Sequence, residues 1–115
     1  MKTYATLAEI QRDLSTGSVS LTGLVDFYLA RISARAELNL FVEVYAEEAR
    51  AEAARIEQKL AAGTAGRLAG LVVGLKDVLC HQGHGLTASS RMLGGFRSQF
   101  TGTAVQRLLD EDAIV

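Results

Sequence analysis

Lys76 is the residue whose type and place best suit it to chemistry. It follows directly on the apolar run from Leu68 to Leu75. Such a run reads as a buried strand, and open α/β sheets hold their ligand sites at the carboxyl ends of strands. Desolvation disfavours the ammonium form, so a lysine kept from water has a lowered pKa. A neutral lysine amine can then act as a general base. The plainer reading is that Lys76 and Asp77 form a charged stop where a strand reaches the surface. Asp77 separates the two readings. A carboxylate close to the ammonium would favour the charged form, so a basic Lys76 requires Asp77 to turn away and bind local backbone donors.

Other residues with reactive side chains carry less. Gly70, Gly74 and Lys76 loosely imitate a phosphate-binding loop, but the spacing is wrong and Asp77 stands where a Ser or Thr is required. Cys80, His81 and His84 lie close together, yet they match no standard zinc spacing. They read as loop residues, and no metal or cofactor is expected in this chain. Cys80 as a nucleophile needs an activating base, and these histidines are too local to supply one convincingly. Ser89 and Ser90 follow Thr87 in a glycine-rich stretch, where hydroxyls either line a site or simply form turns.

The elements that must position Lys76 divide the chain in two. Residues 1–63 are rich in Ala, Leu and Glu and read as helical, whereas residues 64–115 hold most of the eleven glycines. Thr6 and Glu9 fit a capping box that opens a helix over 6–15. Leu21, Leu24, Val25, Tyr28, Leu29 and Ile32 follow the i, i+3, i+4 pattern of a second helix over 20–35, with Ser20 as N-cap. A third helix is expected over 43–62, with Ala46, Ala49, Ala53, Ile56 and Leu60 as its inner stripe and Gly63 as its C′ residue. Its charged residues read as a solvated face of i, i+3 and i+4 pairs. Continuous apolarity over Leu71–Leu75 predicts a parallel strand at 70–76 covered on both faces. Thr103 can cap a helix over 104–110, and Ala113–Val115 begins a second apolar run parallel to the first. The fold class is therefore α/β: N-terminal helices, then the first β-α-β portion of a sheet. A run of three residues reads as a chain cut within a single domain, 1–115.

Composition bounds the rest. At 49% hydrophobic and 22% charged residues, the chain is ordinary for a soluble globular protein. The run at Leu68–Leu75 is far short of the roughly 20 residues of a membrane span. Glu9, Arg12 and Asp13 arrive too early for a secretory signal. A cytoplasmic location and no membrane partner follow as expectations. A single cysteine excludes an internal disulfide. The net charge of −1 argues against a domain that captures nucleic acid by its own field.

Two segments carry a family resemblance. Leu68-Ala-Gly-Leu-Val-Val-Gly-Leu-Lys-Asp77 resembles the opening Leu-x-Gly-Ile-Pro-x-x-Ile-Lys-Asp segment of the amidase signature family. Leu86-Thr-Ala-Ser-Ser-Arg-Met-Leu-Gly-Gly-Phe96 resembles the Thr-x-Ala-Ser-Lys-Met-Leu-x-x-Phe segment that follows it, in the version carried by the A subunits of tRNA-dependent amidotransferases. Thr101–Val115, the second helix and the Leu38-Asn39-Leu40-Phe41 turn extend the similarity. The resemblance covers most of this chain but only the opening portion of a family member.

The resemblance implies a Ser-Ser-Lys triad whose lysine is Lys76. Both serines belong to a later segment; Ser89 and Ser90 match a different motif. It implies a mixed amidase-signature sheet and a glutamine-hydrolysing amidotransferase component. That component supplies ammonia for converting Glu-tRNA(Gln) to Gln-tRNA(Gln), or Asp-tRNA(Asn) to Asn-tRNA(Asn). The implied partners are the B and C subunits of the amidotransferase, with glutamine as amide donor. Transfer RNA, ATP and magnesium are held mainly by the B component. The chain alone is expected to be inactive. Two alternatives stand beside this: a general amidase acting on small amides, and a non-catalytic helical interaction module or truncated gene product.

Overall fold

The computed structural model describes residues 2–115. Helix α1 spans Leu7–Ser15 and opens as the sequence predicts. The Thr6 hydroxyl accepts from the Glu9 amide at 3.3 Å, while the Glu9 carboxylate accepts from the Thr6 amide at 3.3 Å. Helix α2 spans Leu21–Ala34, with the Ser20 hydroxyl accepting from the Gly23 amide. Helix α3 spans Ala46–Ala61 and begins later than the predicted residue 43, because Tyr45 holds a non-helical conformation and offers no side-chain cap. It ends as predicted. Gly63 takes φ +70°, and the Thr64 amide reaches back to the Lys59 carbonyl at 2.9 Å. Helix α4 spans Thr103–Asp110; its N-cap is Gly102, and Thr103 is the first helical residue rather than the cap.

The core lies between α1, α2 and α3. Leu21, Leu24 and Val25 of α2 pack with Ala49, Ala53 and Ile56 of α3, and Ile10, Ala69 and Ile114 complete the cluster. Ala49 and Ala53 let α3 lie close to α2, as the stripe predicts, whereas Leu60 at its far end is exposed rather than part of the inner face. The charged face of α3 is only partly the solvated surface expected. Arg50–Glu47 and Arg55–Glu52 are i, i+3 pairs. However, Arg50 also reaches Asp26 of α2 at 2.8 Å, and Glu57 accepts from both the amide and the hydroxyl of Thr22.

The predicted β-α-β unit does not form as strands. Among the described residues there is no named strand, and the two apolar runs meet in one parallel bridge, Val72 with Ile114. Ile114 sits between its partners, its amide donating to Leu71 and its carbonyl accepting from Val73, at 2.9 and 2.8 Å. A strand needs a ladder to persist. Here the pairing is confined to this bridge, so the run ends as irregular extended chain. The double-sided cover inferred from its apolarity is also missing: Leu71, Val72, Val73 and Leu75 are half-buried, and Gly74 is exposed.

Residues 77–102 form a long excursion closed at its base, where the Gly102 amide donates to the Cys80 carbonyl at 2.9 Å. Within it, Gly85 and Arg97 form an antiparallel bridge, flanked by bonds from the Leu86 amide to Phe96 and from the Ser98 amide to His84. The sequence pattern gives no sign of this pairing.

Candidate functional site

Lys76 follows the extended segment and lines a cavity of about 430 Å³ together with Phe41, Glu43, Tyr45, Asp77, His81 and Thr87. The cavity draws on three parts of the chain: the segment before α3, the end of the apolar run and the excursion after it. Lys76 itself is exposed. The water-excluding layer that a neutral lysine needs is not supplied by the described residues. The Lys76 carbonyl accepts from the Val78 and Leu79 amides at 2.7 and 2.9 Å, so the backbone turns sharply just beyond the lysine.

The Asp77 carboxylate is engaged by Thr87. It accepts from the Thr87 amide at 2.9 Å and from the Thr87 hydroxyl. The Thr87 hydroxyl, then the Thr87 amide, hold the Asp77 carboxyl below its ordinary value; burial opposes them, and the Ser89 amide and Lys76 add to the lowering. The Asp77 carbonyl also accepts from the Ala88 amide at 2.9 Å. Thus the residue after Lys76 is pinned to a turn ten positions downstream. That turn is sharp: Ala88 and Ser89 both adopt left-handed backbone, at φ 47° and 59°. Ser90 caps the short 3-10 helix Arg91–Leu93 through the Met92 amide at 3.3 Å, and Ser89 is exposed, which places both serines in turn formation.

Gly70 does not form a phosphate cradle. It has φ +101°, and a Cβ there would come within 3.1 Å of the Ile10 and Leu14 side chains. Its missing side chain therefore serves packing against α1.

The cavity wall at Tyr45 and His81 continues into a cluster that joins Glu48 and Tyr45 to the two histidines already close in sequence. The His81 and His84 rings stack with centroids 4.0 Å apart and planes within 3°. Glu48, in the first turn of α3, reaches His84 Nε2 at 2.7 Å. Tyr45 packs on His84 with centroids 4.2 Å apart. Burial holds His81 below the ordinary imidazole value, and charge on His84 adds to this while Glu48 opposes it. Burial, then Glu43, Glu48 and Asp77, raise the Tyr45 hydroxyl above its ordinary value. Cys80 stands outside this group of potential ligands. The sequence held no local signal for Glu48, which lies more than thirty residues upstream of both histidines.

Comparison with known proteins bears on the same segments. The Amidase family model matches residues 23–115, a stretch that includes Lys76, the Thr87 turn and α4. The chain is 43% identical over 106 residues to the A subunit of glutamyl-tRNA(Gln) amidotransferase from Ralstonia nicotianae, covering 92% of this chain and 21% of that protein. It is 47% identical over 105 residues to the protein of the same name from a Synechococcus species, covering 90% of this chain and 21% of that one. The chain thus spans about a fifth of the length of these relatives. Two solved structures share its fold. One, described as "An unexpected vestigial protein complex reveals the evolutionary origins of an s-triazine catabolic enzyme", superposes with a TM-score of 0.86 at 29% identity, over 95% of this chain and 24% of that one. Another, described as "Crystal structure of amidase", gives 0.78 at 26% identity, over 95% and 25%. With the family match spanning most of its length and both superpositions covering its helices and its extended segment alike, the chain belongs to the Amidase family.

Proposed function

We propose that residues 1–115 are the N-terminal part of a single amidase domain, that of the glutamine-hydrolysing A subunit of a tRNA-dependent amidotransferase, and that Lys76 is its proton-accepting residue. The observation that carries this reading is the pairing of Lys76 with a cavity while Asp77 is turned onto Thr87. A lysine base needs its neighbouring carboxylate occupied elsewhere, and Thr87 does that. The similarity to the amidotransferase relatives over about nine-tenths of the chain supports glutamine as the substrate.

In the proposed reaction the nucleophilic serine, from a later segment, attacks the glutamine side-chain carbonyl carbon. Its proton passes through the second, bridging serine to Lys76. The carbon–nitrogen bond breaks, the proton is returned to the departing nitrogen, and ammonia leaves. Water then cleaves the acyl-serine ester and releases glutamate. Later sheet strands would cover Lys76 and exclude the water that reaches it in this chain. The B subunit would use ATP and magnesium on the misacylated tRNA, the C subunit would join the two, and the complex would work in the cytoplasm. No helix of the described residues is long and apolar enough to cross a membrane.

The test is glutaminase activity of a full-length protein carrying this segment. Lys76→Ala should abolish acyl transfer with the fold retained, and Lys76→Arg should fail as well, because a guanidinium stays protonated. Near-normal activity in Lys76→Arg would overturn the base assignment. The 115-residue chain alone should show no turnover, since triad members act as a unit; turnover abolished by Lys76→Ala in that chain would refute this. The second reading, a general amidase, is favoured by the amidase superposition. Hydrolysis of simple amides in preference to glutamine would select it.

A further inference from the structure

The cluster beside the cavity has a feature that the amide chemistry does not use. His84 Nδ1 lies 2.9 Å from the Gln82 carbonyl oxygen, which can only accept. Nδ1 therefore carries the hydrogen, and the neutral ring presents a lone pair at Nε2. That lone pair faces a Glu48 carboxylate oxygen at 2.7 Å. At this separation the contact is a hydrogen bond through a second ring proton, and a metal ion taking that proton's place would open the two donors to about 3.3 Å. Potential ligand atoms of Glu48, His81 and His84 all lie within 4.8 Å of one another. His81 Nδ1 is buried without a hydrogen-bond partner.

We propose that Glu48, His81 and His84 form a binding site for a divalent cation of the zinc class. Two imidazoles and one carboxylate suit zinc, cobalt(II) or nickel rather than magnesium or calcium, which take oxygen ligands. The hydrogen bond from His84 Nδ1 to a backbone carbonyl is the orienting contact that metal-bound histidines characteristically make through their other nitrogen. A tetrahedral ion with bonds of about 2.0–2.1 Å sets its donors roughly 3.3 Å apart. Glu48, exposed on the first turn of α3, must therefore withdraw slightly from His84. The parallel stack aims the two rings side by side, so His81 must turn about its side-chain torsions for a nitrogen to converge on the ion. The bound ion would tie the start of α3 to the excursion after Lys76. The proposal does not rest on the proposed amide hydrolysis, although His81 lines the same cavity as Lys76.

The test is calorimetric titration of the chelator-treated 115-residue chain with zinc chloride, alongside histidine side-chain NMR of the same unsubstituted protein. One saturable site per chain is expected, with both histidine ring resonances moving together. Cobalt(II) should give the visible absorption of a low-symmetry nitrogen and oxygen site. Glu48→Gln, His81→Ala and His84→Ala should each weaken zinc at least tenfold, while Glu47→Gln and Cys80→Ser should retain it. The NMR readout keeps the proposal open to refutation even if a variant does not fold. Absence of saturable binding, ring resonances that stay fixed on zinc addition, or full affinity in the double His81→Ala/His84→Ala variant would overturn it. Glu48 and His84 would then be a proton-bridged ion pair.

Discussion

Asp77 and Thr87 govern what Lys76 can do. The Thr87 hydroxyl is the largest contributor to the lowered Asp77 carboxyl, with the Thr87 amide next. Thr87→Val removes the hydroxyl and keeps the amide, so the Asp77 carboxyl should titrate higher than in the unsubstituted chain. Carbon-detected NMR titration of the Asp77 side chain reads this directly, and an unchanged midpoint would show that the hydroxyl contact does not hold in solution. The sign for stability follows from linkage. Asp77 has a folded value below its unfolded one, so its contribution is present above the ordinary carboxylate range and is lost as pH falls through the folded value. The 86–90 turn should loosen as the Asp77 carboxylate takes up its proton in acid. A basic Lys76 would require Asp77 to bind elsewhere, an expectation that the chemistry of its neighbour carries. Thr87 as its partner was not legible, because nothing in the local pattern ties position 77 to a left-handed turn at 88 and 89. The same limit hid Glu48 from the histidines: side chains brought together by tertiary folding leave no spacing to read.

Among the elements, those closed by local contacts were legible and those completed by distant ones were not. Helix α1 carries its capping box and α3 its terminal glycine within a few residues of sequence, so their ends follow from residue type. A strand at 70–76 needs partners along its length. Apolarity predicted burial on two faces, but this chain provides only the bridge to Ile114. What holds Ile114 in place is Asp112, 1% exposed and in left-handed backbone at φ 64°. Its carboxylate accepts from Lys59 of α3 at 2.7 Å, from Arg55 at 3.2 Å and from the Gly66 amide at 2.7 Å. Burial pushes this carboxyl up, but Lys59, the Gly66 amide and Arg55 more than offset it, leaving it below its ordinary value. Asp112→Asn retains a residue that tolerates this backbone and removes the charge. It should cost about 2 kcal/mol, below the loss for a fully buried pair because Lys59 and Arg55 keep access to water. Urea unfolding at neutral pH measures this, and the deficit should shrink as pH falls through the folded Asp112 value. A pH-independent deficit would assign the effect to shape. Gly66 gives an independent check on the same junction. A Cβ there would lie 2.5 Å from the Glu111 carbonyl carbon, a backbone atom that cannot rotate aside. Gly66→Ala should therefore destabilise by roughly 1–3 kcal/mol as overpacking, and a neutral result in urea would mean that the 66–111 contact is looser than described.

At the scale of the molecule, surface area exceeds what this mass normally leaves in water. A folded monomer of 12.3 kDa exposes roughly 6,100 Å² by the usual scaling, and this chain exposes 7461 Å². Its radius of gyration is 15.0 Å, against about 13 Å for a compact chain of this length. The apolar part of that excess is not scattered. Leu38, Leu40, Phe41 and Val44 are exposed and line, with Val72, Val73 and Leu75, a groove of about 950 Å³ beside α2. Contiguous apolar surface of this kind binds environment-sensitive dyes and drives association. The bridge at Val72 also leaves most backbone donors of the 70–76 segment without sheet partners, which adds an edge open to pairing. The 115-residue chain should therefore bind an apolar dye in its native state and sediment as species that grow with concentration. Leu40, 71% exposed, and Val42, 80% exposed, offer a test that spares the core. Leu40→Glu with Val42→Glu should lower dye fluorescence and shift sedimentation toward the monomer, with helix content and unfolding midpoint held. The opposite result, a monomer at every concentration with no dye response and a sharp unfolding transition, would mean that the groove closes in solution. The half-buried run at 71–75 would then be covered by this chain's own residues, and Lys76 at its end would have the dry surroundings that a neutral amine requires without any further segment.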